Sequence, residues 1–142
     1  MDGGKNCYKL ISKNQKNWND AQNYCKNEGG NLVSIRDGFE QAYVSLVKTA
    51  SVNNEWIGIR RVIKFLIFFK YIYIYIFYLK TVMNGQFTWS DQWQSSYTNW
   101  ANGWNSIVDN QCAYLMSSTS LWNTTNCDSL NDFICKISKG VN

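Results

Sequence analysis

Five cysteines, at positions 7, 25, 112, 127 and 135, constrain this 142-residue chain more than any other feature. They stand far apart and form no Cys-x-x-Cys pair, so structural zinc and thioredoxin-like redox chemistry have no motif here. In a small chain with seven Trp, such spacing reads as a disulfide framework made in an oxidising compartment, and so as a secreted, extracellular protein. Five is odd, so one thiol lacks a partner within the chain. The opening Met1-Asp2-Gly3-Gly4-Lys5 has no apolar signal core. Set against a disulfide framework, that predicts a natural start upstream of Met1. The length predicts one domain.

The chain has no His. A Ser-His-Asp triad, a Cys-His pair, His-ligated zinc and His acid–base chemistry are therefore all excluded. The ten acidic residues are scattered, with no carboxylate pair in a hydrolase-like setting. A non-enzyme is expected. The net charge is +4, but Lys64, Lys70 and Lys80 supply three of those charges from one short segment, and the remainder carries +1. With no basic stripe elsewhere, nucleic acid is not an expected partner.

Along the chain, residues 17–28 read as an amphipathic helix. Trp18, Ala21 and Cys25 share a face, Asn17 caps the start, and Gly29-Gly30 ends it. Residues 31–35 are a strand candidate. Asp37 stands three residues before Glu40, close to a capping box, and opens a second helix. Its apolar face is Phe39, Tyr43, Leu46, Val47 and Ala50. Short strands are expected at 56–60, 87–89, 111–115, 120–122 and 133–137, with a long polar loop between 90 and 108. Two early helices followed by short strands predict an α+β fold.

Residues 62–80, VIKFLIFFKYIYIYIFYLK, match nothing else in the chain. Residues 62–79 approach the length of a membrane span, yet Lys70 sits near the centre, where it costs about 2.5–3.5 kcal/mol on insertion scales. A span would also divide one domain across a membrane. The Tyr-Ile alternation favours β-structure, and the lack of Pro, Gly and acid makes the segment aggregation-prone when exposed. Every residue type in it except Val has a codon made only of A and T, while Val codons begin GT and one Lys codon ends AG. The segment is thus expected to be a retained intron of 57 nucleotides, in frame and without a stop. A membrane anchor and a functional insertion are the alternatives.

With that insert set aside, an ordered series of motifs spans residues 7–137. Cys7-Tyr8 is followed by Trp18-x-x-Ala21-x-x-x-Cys25, then Gly30-Asn31-Leu32-Val33-Ser34-Ile35 and Trp56-Ile57-Gly58-Ile59. Next come Phe87-Thr88-Trp89-Ser90-Asp91 and Tyr97-Thr98-Asn99-Trp100. Cys112, Trp122-Asn123, Cys127 and Phe133-Ile134-Cys135 close the series. Each motif alone is weak, but the ordered set resembles the C-type lectin domain family. The resemblance implies two helices, small antiparallel sheets and a long irregular loop, here interrupted by the apolar insert. It implies disulfides Cys25–Cys135 and Cys112–Cys127, worth about 4–5 and about 3 kcal/mol on the chain-entropy model. Cys7 is left unpaired, its family partner being a cysteine just upstream. It also implies binding of a glycan or protein ligand.

Sugar-binding members hold calcium in the long loop through a Glu-Pro-Asn type motif, an acid just before the third framework cysteine, and an Asn-Asp after the strand Trp. This chain has Trp104-Asn105-Ser106 in place of the first, and no Pro anywhere. Asn110 stands for the acid, beside Asp109. Asn123 is kept, but Thr124 replaces the Asp. Neutral oxygens bind calcium weakly, so no calcium cofactor is expected. The candidate ligand-binding residues are Trp93, Trp104, Asp109, Asn110 and Asn123. For the two Trp, stacking on a ligand and filling the loop's own small core both remain open. Asn123-Thr124-Thr125 is also an N-glycosylation sequon. The competing functions are calcium-independent glycan binding, protein binding, and a mis-spliced product without function.

Overall fold

The computed structural model describes residues 6–62, 86–104 and 111–138. Strand β1 (Asn6–Lys16) leads into helix α1 (Trp18–Asn27), strand β2 (Asn31–Leu32) and helix α2 (Gly38–Lys48). Strands β3 (Glu55–Val62), β4 (Gln86–Trp89), β5 (Gln111–Leu115), β6 (Trp122–Asn126) and β7 (Asn131–Ser138) follow. The fold is α+β, as the motif order implied. The strands form one connected sheet in the order β1-β7-β3-β5-β6, with β2 on β7 and β4 on β3, where small antiparallel sheets were expected. What joins them is a short parallel pairing of β3 with β7, Glu55 beside Asp132 and Trp56 beside Phe133.

Helix α1 forms as its sequence predicts. The Asn17 side chain accepts from the Asp20 N–H at 2.8 Å, and Gly29 leaves the helix with φ +85°, a conformation that glycine adopts without a Cβ penalty. Trp18, Ala21 and Cys25 are all buried. They pack with Leu32, Trp56, Phe133 and the two disulfides in one core cluster. The Trp18 indole N–H donates to the Ile57 carbonyl at 2.9 Å, so its one polar atom is satisfied.

Helix α2 forms where expected but faces differently. Asp37 caps it through the Glu40 N–H at 2.8 Å, while Glu40 reaches back to the Arg36 N–H at 2.9 Å. Of the expected apolar face, only Val47 packs against the core. Phe39 is 91% and Leu46 68% exposed, and Tyr43 and Ala50 are also exposed. The buried face is Gln41, Val44 and Lys48. Gln41 accepts from the Trp122 indole at 2.7 Å and donates to the Ser120 carbonyl at 3.1 Å. Lys48 donates to the Ser117 carbonyl at 2.7 Å. Hydrogen bonds to otherwise orphaned loop backbone, not apolar area, set the rotation of this helix.

Two other expectations shift. The strand expected over 31–35 pairs only over Asn31–Leu32, although Val33, Ser34 and Ile35 continue it as buried backbone. The strand expected at 120–122 starts only at Trp122 and runs to Asn126. Ser120 instead takes a left-handed φ of 59° in the turn before it. The Cys25–Cys135 bond spans 110 residues and ties α1 to β7, and Cys112–Cys127 links the start of β5 to the turn after β6. Cys7 is free and half-buried on β1.

Of the apolar segment 62–80, only Val62 is among the described residues. Val62 ends β3 opposite Gln86, which begins β4, in antiparallel register.

Candidate functional site

The long loop begins where β4 ends, and the core holds its first residues in place. Gly58 is one anchor. A Cβ there would lie 2.7 Å from the Leu32 carbonyl and 2.8 Å from Ser90 Oγ, so no side chain fits. The Gly58 N–H donates to the Val33 carbonyl at 2.9 Å, and the Ser90 N–H donates to the Gly58 carbonyl at 2.7 Å. The Asp91 carboxylate accepts from the Ser34 hydroxyl and, at 3.0 Å, from the Trp93 N–H. Trp93 is thus placed on a bend with Gln92 at φ 63°. It is 42% exposed, with the Arg36 guanidinium over its ring at 4.2 Å. Cation–π contact of that kind is worth about 0.5–1 kcal/mol at an exposed site.

The loop then runs along β6. Asn99 accepts from the Trp122 N–H at 2.8 Å, and Ala101 donates to the Trp122 carbonyl at 2.8 Å. The paired backbone brings Trp100 against Trp122, rings edge-to-face at 5.4 Å. Trp104 stacks flat on Trp100 at 4.2 Å and meets Phe87 at 5.3 Å. Its indole N–H donates to Thr124 Oγ1 at 3.1 Å. Trp104 therefore belongs to a small core of the loop itself, made with Phe87, Trp100 and Trp122. Tyr97 closes the other side, 5.8 Å from Trp122. Burial first, then the charge of Asp37, pushes its phenol above the ordinary range, so it stays neutral.

Asn123 lies half-buried on β6, opposite Tyr114 on β5. Its side-chain oxygen accepts from the Thr124 N–H at 2.8 Å. Thr124 in turn donates to Gln111 Oε1 at 3.0 Å while accepting from Trp104. The β6 end of the loop thus presents an amide and a hydroxyl already held by protein groups. The one loop carboxylate among the described residues, Asp91, is engaged by Ser34 and Trp93 instead. Among the described residues, no three His, Cys, Asp or Glu side chains gather where they could hold a metal ion. Asp109 and Asn110 lie outside the described residues.

The structure therefore brings Trp104 and Asn123 together through Thr124, and sets Trp93 apart on the Arg36 side of the loop. Sequence reasoning missed Arg36, Phe87, Gln111 and Thr124 as partners of the candidates. Only Thr124, as a departure from the calcium motif, carried a signal.

The chain also matches a known family model. Residues 14–137 fit the lectin C-type domain. The chain belongs to that family. It is 34% identical over 139 residues to C-type lectin lectoxin-Lei1 of Leioheterodon madagascariensis, covering 92% of this chain and 76% of that protein. It is 25% identical to the secretory phospholipase A2 receptor of Mus musculus, of which it spans only 8%. Among solved structures, human lithostathine superposes with a TM-score of 0.73 at 29% identity, covering 98% of this chain and 99% of that one. The cow C-type carbohydrate-recognition domain of CD23, solved in the presence of a GlcNAc2Man3 oligosaccharide, gives 0.70 at 28% identity, covering 96% and 91%. A calcium-independent type II antifreeze protein shares the fold at 0.71 and 21% identity. This lectin-type domain is non-catalytic. No helix among the described residues is long and apolar enough to cross a membrane.

Proposed function

We propose that this chain is an extracellular recognition domain that binds a glycan through its long loop and β6 without calcium in the usual loop position. The observation that carries this is the engagement of Asn123 and Thr124 by neighbouring protein groups, with Asp91 turned to other partners. Stacking on the exposed ring of Trp93, with polar contacts from Asn123 and from Asp109 and Asn110 before β5, would supply affinity in place of metal coordination. A glycan array probed with calcium and then with a chelator tests it. Equal signal in both, lost in Trp93→Ala, is expected. Signal that disappears with the chelator overturns it. Binding to no glycan, with capture of a protein ligand that also needs Trp93, favours the second reading, for which the Arg36–Trp93 pair at the surface speaks. A glycan at Asn123 would cover the β6 end of the site, and enzymatic deglycosylation followed by intact mass detects it.

The retained intron stands as part of the same proposal. Without residues 62–80, the connection from Arg61 to Gln86 would be Thr81-Val82-Met83-Asn84-Gly85. That stretch contains Asn-Gly, a hairpin-turn signal, and would join the last pair left by the removal, Arg61 with Phe87. Sequencing of the mature transcript decides: messages that all carry the 57 bases end the intron reading. The domain working in the organism would then run from 7 to 137 with the insert removed.

A further inference from the structure

Helix α1 and the paired strands β3 and β4 line a polar cleft of about 440 Å³ that the long-loop site does not use. Lys26, in the last turn of α1, and Arg60, on β3, both border it, together with Asn19, Asn23 and Thr88. Thr88 is the register partner of Arg60, so the two side chains share one face of the ladder. The Arg60 guanidinium stands 5.7 Å from the ring of buried Trp18 and donates from Nη1 to Asn19 Oδ1 at 3.0 Å. That contact positions the guanidinium and leaves most of its five N–H groups for another acceptor. Lys26, Asn19, Asn23 and Thr88 are exposed and Arg60 is half-buried, so these donors can be reached from solvent. Gln22 also borders the cleft but is held by Asn31 and the Leu32 N–H, and it offers nothing further.

No carboxylate borders the cleft. The acids nearest in sequence have other partners: Asp20 accepts from the Asn17 side-chain amide at 2.9 Å, and Glu28 from Lys9 at 2.6 Å. Lys9, Lys48 and Lys136 each meet a glutamate, whereas among the described residues Lys26 and Arg60 form no ion pair. The cleft therefore gathers two uncompensated cations with amide and hydroxyl groups. A guanidinium fork matches two oxygens of a tetrahedral oxyanion, and an ammonium adds a point charge beside it. The space exceeds one such group, and the remaining exposed lining of Asn19, Asn23 and Thr88 suits a hydroxylated carrier better than an acyl chain.

We propose that this cleft binds a tetrahedral oxyanion ester, sulfate or phosphate, carried on a sugar. The full chain, labelled with ¹⁵N, is titrated at neutral pH and fixed ionic strength with glucose 6-sulfate, glucose 6-phosphate and plain glucose. Saturable shifts at the Asn19, Asn23 and Thr88 amides and at Arg60 Nε are expected with the esters and not with glucose. Tighter binding of one ester identifies that anion as the preferred group. Arg60→Gln should weaken binding at least about tenfold, since the charge-assisted fork is lost. Lys26→Gln should weaken it about threefold, as for a point charge on an exposed stem. Lys13→Gln, a cation outside the cleft, and Trp93→Ala, in the loop site, should leave it unchanged. Equal shifts with glucose, no saturation by either ester, or unchanged affinity in Arg60→Gln overturn the proposal. So does an equal loss in Lys13→Gln, which would mean unspecific charge attraction, or a loss in Trp93→Ala, which would move the ester to the loop. If Arg60→Gln does not fold, Lys26→Gln decides: unchanged affinity in that variant sinks the proposal.

Discussion

Helices α1 and α2 carry the same kind of sequence signal and come to opposite ends. Both show apolar residues at helical spacing, and both have a side-chain cap. The stripe of α1 is buried with a disulfide at its foot, whereas all of the α2 stripe but Val47 is exposed, with Phe39 91% exposed. The difference lies in what each helix covers. Under α1 is an apolar cluster around Trp56 and Phe133, which asks only for area. Under α2 are carbonyls of the turn before β6, the Trp122 indole and the Glu55 carboxylate, which ask for donors and acceptors. Periodicity reports which residues could face inward. It does not report what waits there.

The contrast can be broken at several points. The largest effect belongs to α1. Trp18→Ala removes a buried indole and the hydrogen bond to Ile57, and should cost about 3–5 kcal/mol in denaturant unfolding. Next is the charge under α2. Burial, the largest cause, raises the Glu55 carboxyl from 4.5 to about 7 against the opposing pull of Lys48. A carboxyl whose folded value lies above its unfolded one holds its extra proton in the native state. Its stabilisation is therefore complete below about pH 4.5 and is lost as pH rises through 7. Wild type should lose about 2–3 kcal/mol relative to Glu55→Gln between pH 4.5 and 8, because each tenfold difference in proton affinity between the folded and unfolded chain is worth about 1.4 kcal/mol. Parallel curves would show that the buried pair titrates normally.

Gln41→Leu gives α2 an apolar residue where its periodicity would welcome one. It should nonetheless destabilise by about 1–3 kcal/mol, because the Trp122 N–H and Ser120 carbonyl lose their partner. A gain in stability would mean that area, not hydrogen bonding, orients this helix. The smallest effect is on the exposed stripe. Phe39→Ser and Leu46→Ser should each stay within about 0.5 kcal/mol of wild type. A large loss would place those side chains in a contact that the described residues do not make.

Much of the fold was legible because its signals are local or framework-like. Asn17, Trp18, Ala21, Cys25 and Gly29 specify α1 and its end within a dozen residues, and the order of Trp, Gly and Cys motifs specified the family. The disulfide pairs came with the family and not from spacing. The site was less legible. Trp93 and Trp104 look alike in sequence, yet one stacks with Arg36 from a distant loop and the other is absorbed by Trp100 and Phe87. Glu55 and Asp132 are 77 positions apart and meet only through the parallel pairing of β3 with β7, which no local pattern announces.

Residues 62–80 add a second contrast, between a segment unlike the rest of the chain and flanks joined by a disulfide. Helix α1 precedes residues 62–80 and β7 follows them, yet the two are joined by Cys25 and Cys135. Digestion of air-oxidised, alkylated chain without reductant, followed by mass spectrometry of the peptides, addresses this directly. A peptide holding Cys25 should travel with one holding Cys135, Cys112 with Cys127, and Cys7 should carry the alkyl label. Finding Cys25 and Cys135 alkylated instead would mean that the flanks do not form one clamped unit.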